Sequence, residues 1–213
     1  MPSPVAEELK RHVGAVPPPV EVKLPWECRG RIFGGGSSPF GWAMPELKQL
    51  HVGHAPAVLA FELANRAYFA ASVSDRGDDF FAQFTDRYNA LLAEQEAGIC
   101  AFYVLVAEDS SVLGRFNLVD IEDQSAELGY RVAQHVAGCG VATATVRDVC
   151  QLAAAQHGLR TLRAATARRN VASQKVLTNA GFVLVGPADP AHIGGKPGTW
   201  YQRGLVLQPY SAI

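Results

Sequence analysis

The order of hydrophobic patterns predicts an α/β (α+β) fold built on a mixed sheet. Three observations carry this reading. Strand-like runs first form a hairpin and then alternate with helices, the order expected of a mixed sheet. A glycine-rich turn stands between one strand and the helix that follows it. The chain has 213 residues, 48% hydrophobic and 18% charged, enough apolar material for one packed domain and too much for disorder throughout.

Proline divides the chain. Eight of the 13 prolines lie in residues 1–45, with Pro17-Pro18-Pro19 and Gly34-Gly35-Gly36 among them. Such chemistry favours extended chain and turns. Residues 1–45 are therefore expected to be a Pro/Gly-rich appendage, with at most one short helix over 5–13. Met44, at the edge of the regular pattern, offers an alternative start. Residues 46–209 are expected to form the folded domain.

Residues 47–52 read as a short strand and 54–67 as a helix. Asp78 and Asp79 suit a helix N-terminus. Phe80, Phe81, Phe84, Tyr88, Leu91 and Leu92 follow at helical spacing, so one amphipathic helix is expected over 79–97, ended by Gly98. Residues 99–107 and 112–121 flank turn residues and read as a hairpin. Residues 126–133 make the third run. A helix follows the glycine turn and closes at Gly158. Residues 159–166 read as a strand and 170–180 as a helix stopped by Gly181, with last strands over 182–185 and 199–207.

Formal net charge is −1, without the positive excess of a nucleic-acid binder. Cys28, Cys100, Cys139 and Cys150 form no C-x-x-C pair, and the six histidines show no metal spacing. His51 and His54 read as structural or exposed. Residues 1–10 lack the apolar core of a signal peptide, and no apolar run approaches the ~18 residues of a membrane span. A soluble cytoplasmic protein, without a metal, a membrane or a nucleic-acid partner, is the expectation.

The chemistry concentrates at Glu127-Leu128-Gly129-Tyr130-Arg131-Val132, followed by Gly138-Cys139-Gly140-Val141-Ala142-Thr143. Glycines let a ligand approach the backbone, and the first N–H groups of a helix have no internal partner. Together they make an anion cradle, although such a turn also serves as a plain strand–helix connection. Residues 137–186 carry Arg147, Arg160, Arg163, Arg168, Arg169 and Lys175 against Asp148, a net of +5 that suits a phosphate-rich ligand. Residues 75–127 carry twelve acidic side chains against three arginines. Any of these carboxylates that lined an acceptor site would favour a cationic amine.

Some thirty residues after the turn comes Asn170-Val171-Ala172-Ser173-Gln174-Lys175-Val176-Leu177, ending in Ala180-Gly181-Phe182. The two segments, in this order, resemble the GNAT superfamily of acyl-CoA-dependent N-acetyltransferases. The hairpin Gly114-Arg115-Phe116-Asn117-Leu118 is similar to that of its ribosomal-protein-alanine N-acetyltransferase branch. The resemblance spans residues 46–207. It implies a single domain with a mostly antiparallel sheet splayed between two strands, acetyl-CoA as co-substrate, and direct transfer to the amine of a protein N-terminus or a small molecule, by a monomer or homodimer.

It further implies that pantetheine pairs with backbone near Val132 and Ala133. The pyrophosphate would sit on the N–H groups of Gly138, Cys139, Gly140, Val141, Ala142 and Thr143, and the nucleotide 3′-phosphate near Lys175. The family's Gln or Arg at the first position of this pattern is Ala137 here, and its frequent basic residue is Cys139, so recognition falls to backbone. Glu127 matches the base of the family; otherwise it is a strand carboxylate facing solvent or an arginine. Asn170 and Ser173 match positions near the thiol, and Asn170 also suits a helix N-cap. Tyr130 and Tyr201 are possible proton donors, or packed aromatics.

Two other classes remain open on sequence. A GNAT-like domain that holds acyl-CoA without turnover is the first. A different nucleotide binder is the second, lacking an acidic ribose-binding residue some 20 positions after the turn.

Overall fold

The structure is a computed structural model and describes residues 45–206. The seven strands are β1 (Glu46–Gln49), β2 (Ala101–Val106), β3 (Val112–Glu122), β4 (Ser125–Val132), β5 (Thr161–Ala167), β6 (Val183–Ala188) and β7 (Gly198–Gly204). The six α-helices are α1 (Ala55–Ala64), α2 (Arg66–Ala70), α3 (Asp78–Ala82), α4 (Phe84–Glu96), α5 (Val141–His157) and α6 (Val171–Asn179). The strands form one sheet in the order β1-β2-β3-β4-β5-β7-β6.

Every neighbouring pair is antiparallel except β4 and β5. A parallel pair needs a crossover, and α5 supplies it. The β4–β5 pairing covers only Ser125 with Thr161, Ala126 with Leu162 and Glu127 with Arg163. Past Glu127 the strands part, β4 staying with β3 as far as Val132 and β5 with β7 over its whole length. The expected mixed, mostly antiparallel, splayed sheet is present.

Side-chain alternation sorts each strand between two faces. One face carries Phe116, Leu118, Ala126, Leu128, Leu162 and Ala164 beneath Val146, Val149 and Ala153 of α5 and Leu177 of α6. The other carries Phe102, Val104 and Val106 beneath Val58 and Phe61 of α1, Phe80 of α3, and Phe84 and Tyr88 of α4. β2 is buried at all six positions because helices cover both its faces.

Two expected helices are subdivided. The helix expected over 54–67 ends at Ala64, and α2 restarts at Arg66. Buried Asn65 explains the break: its Nδ2 donates to the Phe61 carbonyl at 2.9 Å, competing with the helical ladder, and its Oδ1 accepts from the Gln134 N–H at 2.9 Å. The helix expected over 79–97 bends at Gln83. The bonds from Gln83 N–H to Asp79 and from Arg87 N–H to Gln83 carry the helical sense through the bend, and Phe80 and Phe84 both stay buried. The helix expected over 5–13, the appendage up to residue 44 and Leu207 of the last strand lie outside the described residues.

Phe116 is fully buried at the sheet centre, stacked on Tyr130 at 6.0 Å between ring centroids. Phe116→Ala should cost about 3–5 kcal/mol in urea unfolding, the range for an aromatic truncated in a core. A loss below about 1 kcal/mol would mean that this region repacks without penalty.

Candidate active site

A cleft of about 390 Å³ opens where β4 and β5 part. Gly129, Tyr130 and Arg131 of β4 form one wall, and Ala164 to Ala167 of β5 form the other. Asn170, Ser173 and Leu177 of α6 close one end. Ser72, Ser74 and Arg76 meet His192 and Gly194 across the mouth, where Lys196 Nζ donates to the Ser72 carbonyl at 3.0 Å. A Cβ built on Gly129 would meet nothing within 4 Å, so glycine leaves this wall open.

Asn170 and Ser173 both line this cleft. Asn170 caps α6, its Oδ1 accepting the Ser173 N–H at 3.1 Å. Capping and cleft lining are thus one arrangement. The Tyr130 hydroxyl lies 2.9 Å from Ser173 Oγ. Burial pushes the Tyr130 phenol up to about 12, and the Ser173 contact opposes this in part. Tyr130 therefore stays protonated at neutral pH, and its hydroxyl donates to the Ser173 carbonyl at 3.2 Å at the edge of the cleft. Tyr201 is core, buried at 5% exposure and far from a donor role.

The glycine turn is a second, separate feature. Gly138 and Gly140 adopt φ of +80° and +79°, which side chains rarely tolerate. No side chain caps α5, whose first turn holds Val141, Ala142 and Thr143, so their N–H groups point out of the helix end. Around Gly138 and Gly140 the space is open for 4 Å. Cys139 lies between them and reaches toward the Ala137 carbonyl. The Ala133 N–H is taken by the Leu113 carbonyl at 2.8 Å, whereas strand alternation turns the Val132 N–H away from β3, toward the splay. Lys175 is exposed on α6.

Glu127 stands on the opposite face of β4 from Tyr130, by alternation. Its Oε2 lies 2.9 Å from His192 Nε2, and it is His192 that lines the cleft. The His192 ring also packs on Trp200 at 4.9 Å. The carboxylate thus reaches the cleft through an imidazole, a partner 65 positions away in sequence.

Sequence reasoning missed the charged group behind this wall. Glu62 of α1 is 2% exposed and accepts from Arg115 Nη1 at 2.7 Å and Arg131 Nη1 at 3.0 Å. Arg76 Nε stands 3.8 Å from the same carboxylate. The only available signal was the odd-numbered face of the hairpin, where Arg115, Asn117, Glu127, Gly129 and Arg131 share one side. Arg76 is held down at about 10 by burial first and then by the neighbouring Arg131 charge, and burial likewise lowers Arg131. The acidic residues of 75–127 do not line the cleft, so the condition for a cationic acceptor is not met. Asp75 and Asp78 are instead drawn to the surface guanidinium of Arg66, each at 2.6 Å.

The family model of the acetyltransferase (GNAT) domain matches residues 46–183. The chain belongs to the GNAT family. It is an acetyl-CoA-dependent N-acetyltransferase of amines. Solved structures share the fold. The ribosomal-protein-S5-alanine acetyltransferase of Vibrio fischeri superposes with TM-score 0.72 at 20% identity, over 79% of this chain and 97% of that one. RimJ of Mycobacterium smegmatis, solved with CoA-disulfide, gives 0.67 at 20% identity, over 74% and 80%. Spermidine N-acetyltransferase of Vibrio cholerae, solved with CoA and spermine, gives 0.64 at 16%, over 76% and 96%. No curated protein matches the sequence. The residues present fit the co-substrate: the positive-φ glycines leave open space at the start of α5 that a Cβ would fill, and β4 and β5 part into a cleft. Among the described residues no group of histidine, cysteine and acidic side chains is arranged to hold a metal ion, and no helix is long and apolar enough to cross a membrane.

Glu62→Gln keeps the shape and removes the one negative charge among three guanidinium groups. Breaking a buried pair from one side costs about 3–5 kcal/mol, and urea unfolding should show a loss of that size. A loss under about 1 kcal/mol would mean that water, not Glu62, compensates Arg115.

Proposed function

We propose that the acceptor is a primary amine, the α-amine of a protein N-terminus or of a small molecule, and that Glu127 serves as base through His192. The single observation behind this is the Glu127–His192 contact at the cleft, opposite the Tyr130–Ser173 contact. The two pairs occupy opposite faces of β4. An amine entering from the Glu127 face meets the thioester in the splay, and the sulfur departs toward the Tyr130 face.

Acetyl-CoA supplies the activated acyl group as a thioester. The N–H groups of Gly138, Gly140, Val141, Ala142 and Thr143 would hold its pyrophosphate, that of Cys139 being given to the Val136 carbonyl at 3.3 Å, with Val132 backbone holding its pantetheine and Lys175 its 3′-phosphate. The Val132 amide also polarises the thioester carbonyl. His192 takes the proton of the attacking nitrogen, with Glu127 orienting the ring and stabilising its charged form. As the C–N bond forms and the C–S bond breaks, the Tyr130 hydroxyl turns from the Ser173 carbonyl to give its proton or a hydrogen bond to the leaving sulfur, while Ser173 Oγ keeps the phenol oxygen in place. An α-amine with pKa ~7.7–8.0 is neutral in roughly a tenth of molecules at pH 7, against far less than a hundredth for lysine at ~10.4. The modest base fits an α-amine. We further propose that the catalytic unit is residues 46–209, that residues 1–45 are an appendage, and that the protein works in the cytoplasm as a monomer or homodimer.

CoA should raise the melting temperature, since a ligand of the native state stabilises by mass action. Gly140→Val should abolish that shift, because the side chain fills the open space at the helix end and is strained at positive φ. A full shift in the variant would reduce the turn to a connection.

Glu127→Gln should lower kcat/KM most at low pH, with CoA binding intact. General-base help is typically worth ~10²–10⁴-fold, and the defect should shrink above the pKa of the acceptor, where the amine arrives neutral. A loss independent of pH would limit Glu127 to holding the His192 ring, with no share in stabilising its charge, and no loss at any pH would remove it from the mechanism.

A further inference from the structure

The cleft has an unusual electrostatic composition for a site that handles a neutral thioester and an amine. Arg76, Arg115, Arg131 and His192 line it, and no carboxylate does. Two carboxylates stand behind the lining: Glu127, which faces His192 at 2.9 Å, and Glu62, which alone offsets the three guanidinium groups. These charges do not serve the phosphates of the co-substrate, because the glycine turn at 138–143 lies outside the cleft lining.

The three arginines are not equivalent. Arg115 is 5% exposed and committed to Glu62. Arg131 gives Glu62 one nitrogen and stacks on Phe69 at 4.9 Å. Arg76 is a third exposed, held over the Phe80 ring at 4.3 Å, and stands beyond hydrogen-bond distance of Glu62. Among the described residues Arg76 donates no side-chain hydrogen bond. A guanidinium in the cleft lining, held by stacking and by an ion pair at 3.8 Å but donating no side-chain hydrogen bond, is arranged for an oxyanion. A second polar group is also unpaired: the buried Oδ1 of Asn117, on the same sheet face as Arg115 and Arg131, has no hydrogen-bond partner. It is an acceptor, so it asks for an N–H.

We propose that the acceptor carries a carboxylate close to its reactive amine, with Arg76 and Arg131 binding the carboxylate and Asn117 Oδ1 receiving an amine N–H. This rests on the acetyltransferase reading above and narrows its substrate class. The carboxylate is either that of a free amino acid or an acidic side chain near a protein N-terminus. Both satisfy the same two arginines. The arrangement also assists the chemistry, since nearby positive charge lowers the pKa of the bound amine and raises its neutral fraction. A polyamine would be repelled.

The test uses the full chain, acetyl-CoA and thiol release with matched acceptors. Aspartate is compared with its diamide, and tripeptides with Asp at position two are compared with their Asn counterparts; spermidine is the cationic control. Charge-assisted hydrogen bonds of ~1.5–3 kcal/mol correspond to a preference of roughly 10–100-fold in kcat/KM for the acidic member of at least one pair. The first pair winning points to a free amino acid, and the second to a protein N-terminus. The preference should fall as salt rises. Arg76→Gln should shrink the acidic-to-amide ratio severalfold, a readout insensitive to a general loss of active protein. Equal rates within each pair, or spermidine as the best acceptor, would overturn the proposal and leave the arginines a structural cluster. If no amine releases thiol, the acetyltransfer reading fails instead. The charge preference is then read by calorimetry with CoA present, comparing N-acetylaspartate with its diamide on wild type and Arg76→Gln. Preference for the acid, lost in the variant, supports the site; equal binding overturns it.

Discussion

The three-residue parallel contact between β4 and β5 is the constraint on which the rest of the molecule depends. Every other strand pair is antiparallel and closes locally or beside a neighbour. The parallel pair requires the chain to leave the end of β4, cross the sheet and return, which α5 accomplishes. Pairing that stops at Glu127 and Arg163 leaves backbone groups of two strands facing one another without a partner strand. An unpaired strand edge inside a fold must be satisfied by something, and the family's co-substrate has an amide-bearing arm suited to that edge. The same strand, β4, leads past the cleft wall into the glycine turn and the start of α5, whose first N–H groups no side chain caps.

Charge organisation follows from the two faces of the sheet. On the α5 side, Tyr130 is buried against Phe116 and held by Ser173, a neutral and proton-rich environment. On the α1 side, one buried carboxylate gathers three guanidinium groups from a loop and two strands. Desolvation makes a buried charge costly unless it is paired, so Glu62 and Arg115 must find each other for either to be tolerated. Their pairing ties α1 to β3, and Arg131 extends the tie to β4, which fixes the cleft wall. The surplus positive charge is left to face the cavity.

Much of the architecture was legible in local patterns. The hairpin, the glycine turn, the α5 and α6 helices and the α6 cap each rest on residues within one or two turns of each other. Asn170 was readable as a cap, and its cleft position came with it. The break at Asn65 was not legible, because the side chain that competes for the Phe61 carbonyl is held in place by the N–H of Gln134, a residue 69 positions away. Tyr130 looked like a packed aromatic or a donor; its ring stacks on Phe116 and its hydroxyl lies on Ser173, a contact that no local pattern announced.

By itself the sequence determined what depends on neighbours along the chain: element type from hydrophobic period, the positive-φ turn from its glycines, and the family from two motifs in order. Only the tertiary structure decided which charges meet. Glu127 faces His192, Glu62 faces Arg115 and Arg131, and Asn117 faces the cleft unpaired, over separations of 53 to 69 residues in the three contacts. Periodicity assigns a side chain to a face but not to a partner, because the partner arrives through strand order and register, and burial then makes the pairing compulsory. The reversal in the acceptor side, from an acidic stretch of sequence to a basic cavity, has that cause. The carboxylates of 75–127 are numerous in the chain, but water and the surface guanidinium of Arg66 hold them outside, while the few arginines whose alternation points inward line the site.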